Sequence, residues 1–211
     1  MLDIKKIDEG LYRLYVPFEE LLTAVFFVVS TNGAAIIDSA TFGEDADNYI
    51  VPALEVLNIA CEDVKCIALT HKHADHAGGA GRLAELLPNA AVYSPEPVKT
   101  EYLPVLDGNV LPCGIRAVAL AGHTSGCVGY VHEASGTLLS GDCLQLFGIG
   151  KYRNGVGYPE LYERSVERVR GMELRRIVAS HEYDPLGSEA NGKNEIEKYL
   201  DTCLLFFKKE K

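Results

Sequence analysis

The segment Thr70-His71-Lys72-His73-Ala74-Asp75-His76-Ala77-Gly78-Gly79 packs four metal-ligand residue types, His71, His73, Asp75 and His76, into six positions. It follows an apolar run, Cys66–Thr70, that reads as a buried strand. Imidazole and carboxylate groups gathered in a loop beyond a buried strand point to a metal centre with catalytic work to do. The chain holds only six histidines, and two of the others stand in similar loop-like settings. His123 lies in Gly122-His123-Thr124-Ser125-Gly126 and His181 in Ser180-His181-Glu182-Tyr183. Asp142 follows Gly141 at the end of a further apolar run. His132, on a strand beside Glu133, reads as a structural or surface residue.

Side chains so far apart in sequence need a rigid frame to meet. Leu11–Val16 alternates at period two, and Ala24–Ser30 and Ala34–Ile37 are short runs rich in β-branched and aromatic residues, so the chain opens as strands joined by turns. Asn32-Gly33 is a hairpin signal. Glu44–Asn58 carries Ala46, Tyr49, Ile50, Ala53, Leu54 and Leu57 at helical spacing, and Gly79–Leu87 reads as a helix stopped at Pro88. Further strands are predicted at Ala91–Ser94, Arg116–Leu120, Val128–His132, Thr137–Ser140 and Ile177–Ser180, with helices at Pro159–Gly171 and Glu195–Phe207. Periodicity alone supports a mixed α and β domain, with each candidate ligand at or just after a strand end.

A chain of 211 residues can bury a sizeable core and fits one domain, 1–211, better than two. The start, Met1-Leu2-Asp3-Ile4-Lys5-Lys6-Ile7-Asp8, has mixed charge and no apolar centre, and no stretch approaches the length of a membrane span. The expectation is a cytoplasmic protein without a membrane partner. Six cysteines are scattered with no Cys-x-x-Cys pair, which argues against a disulfide framework. Cys127 and Cys143, near His123 and Asp142, read as packing residues, since alternation turns Cys143 away from Asp142. A formal charge of −10 argues against a broad nucleic-acid surface and leaves a small molecule as the expected partner. The sequence admits a homo-oligomer.

The order and spacing of His71-x-His73-x-Asp75-His76, Gly122-His123, Asp142 and His181 resemble the metallo-β-lactamase superfamily, over about Asp38 to Tyr183. A single His-x-His would be weak evidence, because such pairs are more often packing than ligation; seven ligand-type residues in order are not. The resemblance implies an α+β fold, the four-layer αββα sandwich. It also implies a binuclear site: His71, His73 and His123 for one ion, Asp75, His76 and His181 for the other, and Asp142 bridging. Two divalent ions are the implied cofactors, zinc first, with iron or manganese accepting a similar set. An incomplete protein shell leaves room for water, so the implied enzyme is a metallohydrolase in which a bridging hydroxide attacks a carbonyl. Asp75 and Asp142 are the implied catalytic carboxylates, and Asp38, closing Ala35-Ile36-Ile37, resembles the aspartate that supports a ligand imidazole.

The ending Ser180-His181-Glu182-Tyr183 is similar to that of glyoxalase II, a thioesterase acting on glutathione conjugates. Phe147–Gly155 looks like the glyoxalase II loop in which a Lys or Arg meets the glutathione moiety; Lys151 occupies that position, and Arg153 stands where an aromatic residue is common. Lys151, Arg153 and Tyr183 are therefore candidate substrate-binding residues. Glyoxalase II carries a further helical domain, whereas this chain ends soon after His181, so a short glyoxalase II-like hydrolase of a small anionic thioester or ester fits better. A mononuclear-iron persulfide dioxygenase using His71, His123 and Asp142 is the alternative, and a lactonase a further one. A non-catalytic binding module would be expected to have lost ligands, and none is missing. The loop around Phe18-Glu19-Glu20-Leu21-Leu22 corresponds to one that overhangs the metals in relatives, against the plain reading of a hairpin whose leucines pack inward.

Overall fold

The alternating and apolar runs form two sheets. The computed structural model describes residues 2–144, 157–182 and 187–209, with side chains described as far as Leu205. The first sheet has seven strands in sequence order: β1 (Asp3–Asp8), β2 (Leu11–Phe18), β3 (Leu21–Ser30), β4 (Gly33–Ile37), β5 (Val64–Ala68), β6 (Ala91–Ser94) and β7 (Leu103–Pro104). The second has six: β8 (Val110–Leu111), β9 (Ile115–Ala119), β10 (Val128–His132), β11 (Thr137–Gly141), β12 (Arg176–Ala179) and β13 (Glu189–Asn191), in spatial order 13-12-11-10-9-8.

Helices α1 (Gly43–Asp45) and α2 (Val51–Val56) form one helical run through a single wide turn at Ala46–Ile50. Two short helices, α3 (Ala74–Ala77) and α4 (Ala80–Leu86), follow β5; α5 (Pro159–Arg170) and α6 (Gly192–Lys209) come late in the chain. Three apolar clusters define the layers. Phe26, Ile37, Tyr130 and Leu139 lie in the cluster between the sheets. Leu14, Ile36, Ile50, Leu54 and Leu83 pack on the outer face of the first sheet with α2 and α4. Leu138, Tyr162, Val166 and Leu200 pack α5 and α6 on the outer face of the second. That is the αββα sandwich, each sheet burying one face against its partner and the other against helices.

The expected strands and helices all appear, with ends shifted by a few residues. The β3–β4 turn is centred on Thr31-Asn32, with Ser30 paired to Gly33, one residue before the Asn32-Gly33 expectation; Gly33 opens β4 with φ +122°. Unforeseen strands are β1, β7, β8 and β13, the four sheet edges. β1 has only one fully buried residue of six, so it carries no apolar alternation to read.

What positions the candidate site is direction. β4, β5 and β6 run parallel, as do β11 and β12, so their C-terminal ends share a rim, and the loops leaving that rim carry Asp38, the His71–His76 segment, Asp142 and His181. His132 stays within β10, buried, with Nδ1 hydrogen-bonded to the Ser135 hydroxyl at 2.8 Å. Of the two settings the sequence allowed, structural or surface, the strand places it inside the protein.

Candidate metal centre

Three imidazoles, those of His71, His73 and His123, form one group of ligand atoms; Asp75, His76, Asp142 and His181 form a second, with the atoms of each group within 4.8 Å of one another. His71 and His73 stand in the loop after β5, Asp75 and His76 on α3, His123 in the β9–β10 turn, and Asp142 and His181 directly after β11 and near the end of β12. All seven residues singled out by the sequence converge on this rim.

Asp142 lies between the groups. Its Oδ2 is 3.6 Å from His123 Nε2, while its Oδ1 is 3.3 Å from Nε2 of both His76 and His181. Asp75 Oδ2 is 3.3 Å from the same two Nε2 atoms. His73 Nδ1 and His123 Nε2 are 2.8 Å apart. His76 and His181 direct Nε2 at the carboxylates of the centre, while Nδ1 of His71, His76 and His181 turns outward.

Those outward nitrogens are held by specific partners. His76 Nδ1 lies 2.8 Å from Asp38 Oδ2, and fully buried Asp38 also accepts the Thr70 backbone N–H at 2.7 Å and the Thr70 hydroxyl. The Thr70 hydroxyl is also 3.1 Å from His71 Nδ1. The Nδ1–H of His181 donates to the Leu22 carbonyl of the β2–β3 hairpin at 2.9 Å. Such partners fix ring orientation and aim the inner nitrogen at the place a cation would take. Asp38 supports an imidazole as expected; Thr70 and the Leu22 carbonyl went unforeseen, the latter because a backbone oxygen has no sequence signature.

The backbone is bent to allow this. Gly141 has φ +56°, and a Cβ there would stand 2.8 Å from Thr70 Cβ. Glycine at this point lets the end of β11 close against Thr70 and deliver Asp142.

Electrostatics divide the groups. Burial, then repulsion from His76, hold the His71 imidazole well below its usual pKa, and burial with the neighbouring His123 lowers that of His73. In the second group burial opposes charge, but Asp142 and Asp38 hold His76 well above its usual value, and Asp142 and Asp75 raise His181 to about 10. Against the same burial, His181 and His76 hold both carboxylates below the normal range.

His71 Nε2, His76 Nε2 and Asp142 Oδ1 are buried without a properly formed hydrogen bond. Buried polar atoms left so cost free energy, on the order of 1–3 kcal/mol each, unless something else binds them. Three imidazoles for one divalent ion, a carboxylate and two imidazoles for another, and Asp142 reaching both, are a donor set that fits zinc, iron or manganese. The centre faces solvent on the His73 and Asp75 side, where a substrate could enter.

The model of the metallo-beta-lactamase superfamily matches residues 19–108, which include Asp38 and the His71–His76 segment. This chain carries a metallo-beta-lactamase superfamily domain. Solved metallo-beta-lactamase fold proteins extend the likeness to nearly the whole chain. A metallo-beta-lactamase of Pontibacter korlensis superposes with a TM-score of 0.77 at 17% identity, over 97% of this chain and 99% of its own. The metallo-beta-lactamase FIM-1 of Pseudomonas aeruginosa, in a mono-zinc form, gives 0.77 at 14% identity, over 98% and 96%. At such identities the likeness speaks for the fold alone. In sequence, a hydroxyacylglutathione hydrolase of Bdellovibrio bacteriovorus is 30% identical over 141 residues, 63% of this chain and 55% of that protein. One of Vibrio vulnificus is 33% identical over 125 residues, 57% of this chain and 48% of that protein. The match thus spans about half the length of these curated relatives.

Cys127 and Cys143 are buried in the apolar layer beneath the second sheet, and neither belongs to a ligand group. Lys151, Arg153 and Tyr183 lie outside the described residues. The β2–β3 connection is a two-residue turn, Glu19-Glu20, with Phe18 paired to Leu21 and Glu19 at φ +52°. Among the described residues no helix is long and apolar enough to cross a membrane.

Proposed function

We propose that this chain is a metal-dependent hydrolase of a small, anionic thioester or ester, working with two divalent ions, zinc foremost. The observation that carries the reading is Asp142: one carboxylate with an oxygen toward each of two clusters of inward-facing donors. His71, His73 and His123 would hold one ion, Asp75, His76 and His181 the other. Bound there, the ions would supply Lewis acidity toward a carbonyl oxygen and lower the pKa of water toward roughly 7.

The chain's own residues do the rest. Asp75, with 14% of its side chain exposed, would accept a hydrogen bond from the attacking water and aim its oxygen at the substrate. Asp38 and the Leu22 carbonyl hold the His76 and His181 rings, so little reorganisation is needed when charge develops. The seven ligand residues bring only two negative charges, so a loaded site is net positive and favours an anionic substrate even within an acidic chain. The relatives named hydroxyacylglutathione hydrolase support a thioester as the first substrate class to test. Lys151, from its place in sequence, is proposed to pair with a substrate carboxylate.

The test is elemental analysis of protein expressed without added metal, followed by turnover on a panel of thioesters, lactones and persulfides. About two zinc ions per chain with thioester cleavage is the expected result. One iron per chain with oxygen consumption on a persulfide would replace this reading with a dioxygenase.

A further inference from the structure

Glu96 leaves the end of β6 on the same rim as the ligand loops but belongs to neither ligand group. Its side chain is only 6% exposed, yet it ends in a carboxylate. Each oxygen has a partner: Oε1 lies 3.1 Å from the Lys72 ammonium, and Oε2 accepts the Thr124 hydroxyl at 2.7 Å. Lys72 stands between His71 and His73, and Thr124 directly follows His123. Glu96 thus joins the two segments that supply the three-imidazole group.

The Glu96 and Thr124 members of this link are fixed, while the Lys72 side chain is half exposed. The Ser94 hydroxyl donates to the Glu96 carbonyl at 2.6 Å, tying Glu96 to β6. On the other side Thr124 closes its own turn onto Cys127, the Thr124 N–H donating to Sγ at 3.3 Å and the hydroxyl lying 3.0 Å from the same sulfur. Gly126 presses on the Glu96 stem so closely that a Cβ there would stand 2.3 Å from Glu96 Cγ. A carboxylate shut away from water is costly, and one packed apolar residue would fill the space with less penalty. Directional, charge-assisted hydrogen bonds are what an apolar residue lacks.

We propose that Glu96 is a positioning residue: by holding Lys72 and Thr124 at once, it sets the separation of His71 and His73 from His123 and so the fit of the three-imidazole cluster to its ion. The inference rests on the reading of both clusters as metal sites.

The test is cobalt(II) titration of the full chain, stripped with a chelator, followed by visible absorption. An Asp75→Ala background isolates the three-imidazole cluster, and a His123→Ala background isolates the other. In the first background Glu96→Gln, which keeps an acceptor for Thr124 but loses the ion pair with Lys72, should weaken cobalt binding up to about fivefold and change the absorption envelope. Lys72→Met and Thr124→Val should each reproduce part of that loss, so the result does not depend on one variant folding well. In the second background Glu96→Gln should leave cobalt affinity unchanged. Equal affinity and identical spectra with and without Glu96→Gln in the first background, beside a lowered melting temperature, would reduce Glu96 to a stabilising role and overturn the inference alone. A chain that takes up no cobalt before any substitution would overturn the metal reading and this inference with it.

Discussion

The His181 imidazole is fastened to the tip of the β2–β3 hairpin, its Nδ1–H donating to the main-chain carbonyl of Leu22 at 2.9 Å. A second bond, from the Ala24 N–H to the Ser180 carbonyl at 2.8 Å, runs beside it. The hairpin beside the centre is therefore tied to one of its candidate ligand residues. His181→Ala should loosen it: losing one hydrogen bond of about 1 kcal/mol predicts roughly fivefold faster amide exchange at Leu21–Thr23. Exchange in β4 should not change. Hydrogen–deuterium exchange checks this, and uniform protection across the hairpin in the variant would count against the coupling.

Asp38 should matter to both stability and metal retention. Asp38→Ala strands the Thr70 N–H and the His76 Nδ1 in a site with no exposure, and an expected loss on the order of 3 kcal/mol follows from the unpaired groups. Urea unfolding of the chelated protein measures it. Asp38→Asn keeps one acceptor and should lose less, while still weakening metal binding at the Asp75, His76 and His181 group by about tenfold or more.

Asp75→Ala removes a donor from that same group and should leave about one metal ion per chain, held by the three imidazoles. Hydrolysis should fall by orders of magnitude, since the variant loses both the ion and the group that aims the water. Metal content and kcat on an identified thioester test this together. Full metal occupancy with undiminished turnover would remove Asp75 from the catalytic role.

Metal uptake should expel protons. In the ion-free cluster His181 is held up to about 10 and His76 well above its ordinary value, so both are protonated at neutral pH. An ion binds the unprotonated nitrogen, and protons therefore compete more strongly as pH falls. Apparent zinc affinity should rise steadily from about pH 6 to about pH 9. Calorimetry in two buffers of different ionisation enthalpy reads the protons released; none released at pH 7 would contradict the assignment of His76 and His181.

The candidate ligand set was legible because its chemistry resides in residue types. The chain has only six histidines, and with three of them and Asp75 inside six positions few other uses fit; all seven residues converge. Central strands and long helices were legible through periodicity. Edge strands were not: β1 is mostly exposed and β7 and β8 have two residues each, so their pairing depends on neighbours rather than on pattern.

Sequence alone thus determined which side chains could bind metal, and that they leave the ends of strands. Only the tertiary structure decided how they divide: that Asp142 faces both groups, that Asp38 grips His76, that the Leu22 carbonyl grips His181, and that Glu96 joins Lys72 to Thr124. The physical reason is that each of these links joins residues far apart in the chain, through hydrogen bonds whose distances and angles exist only once two sheets have packed face to face and brought their rims together.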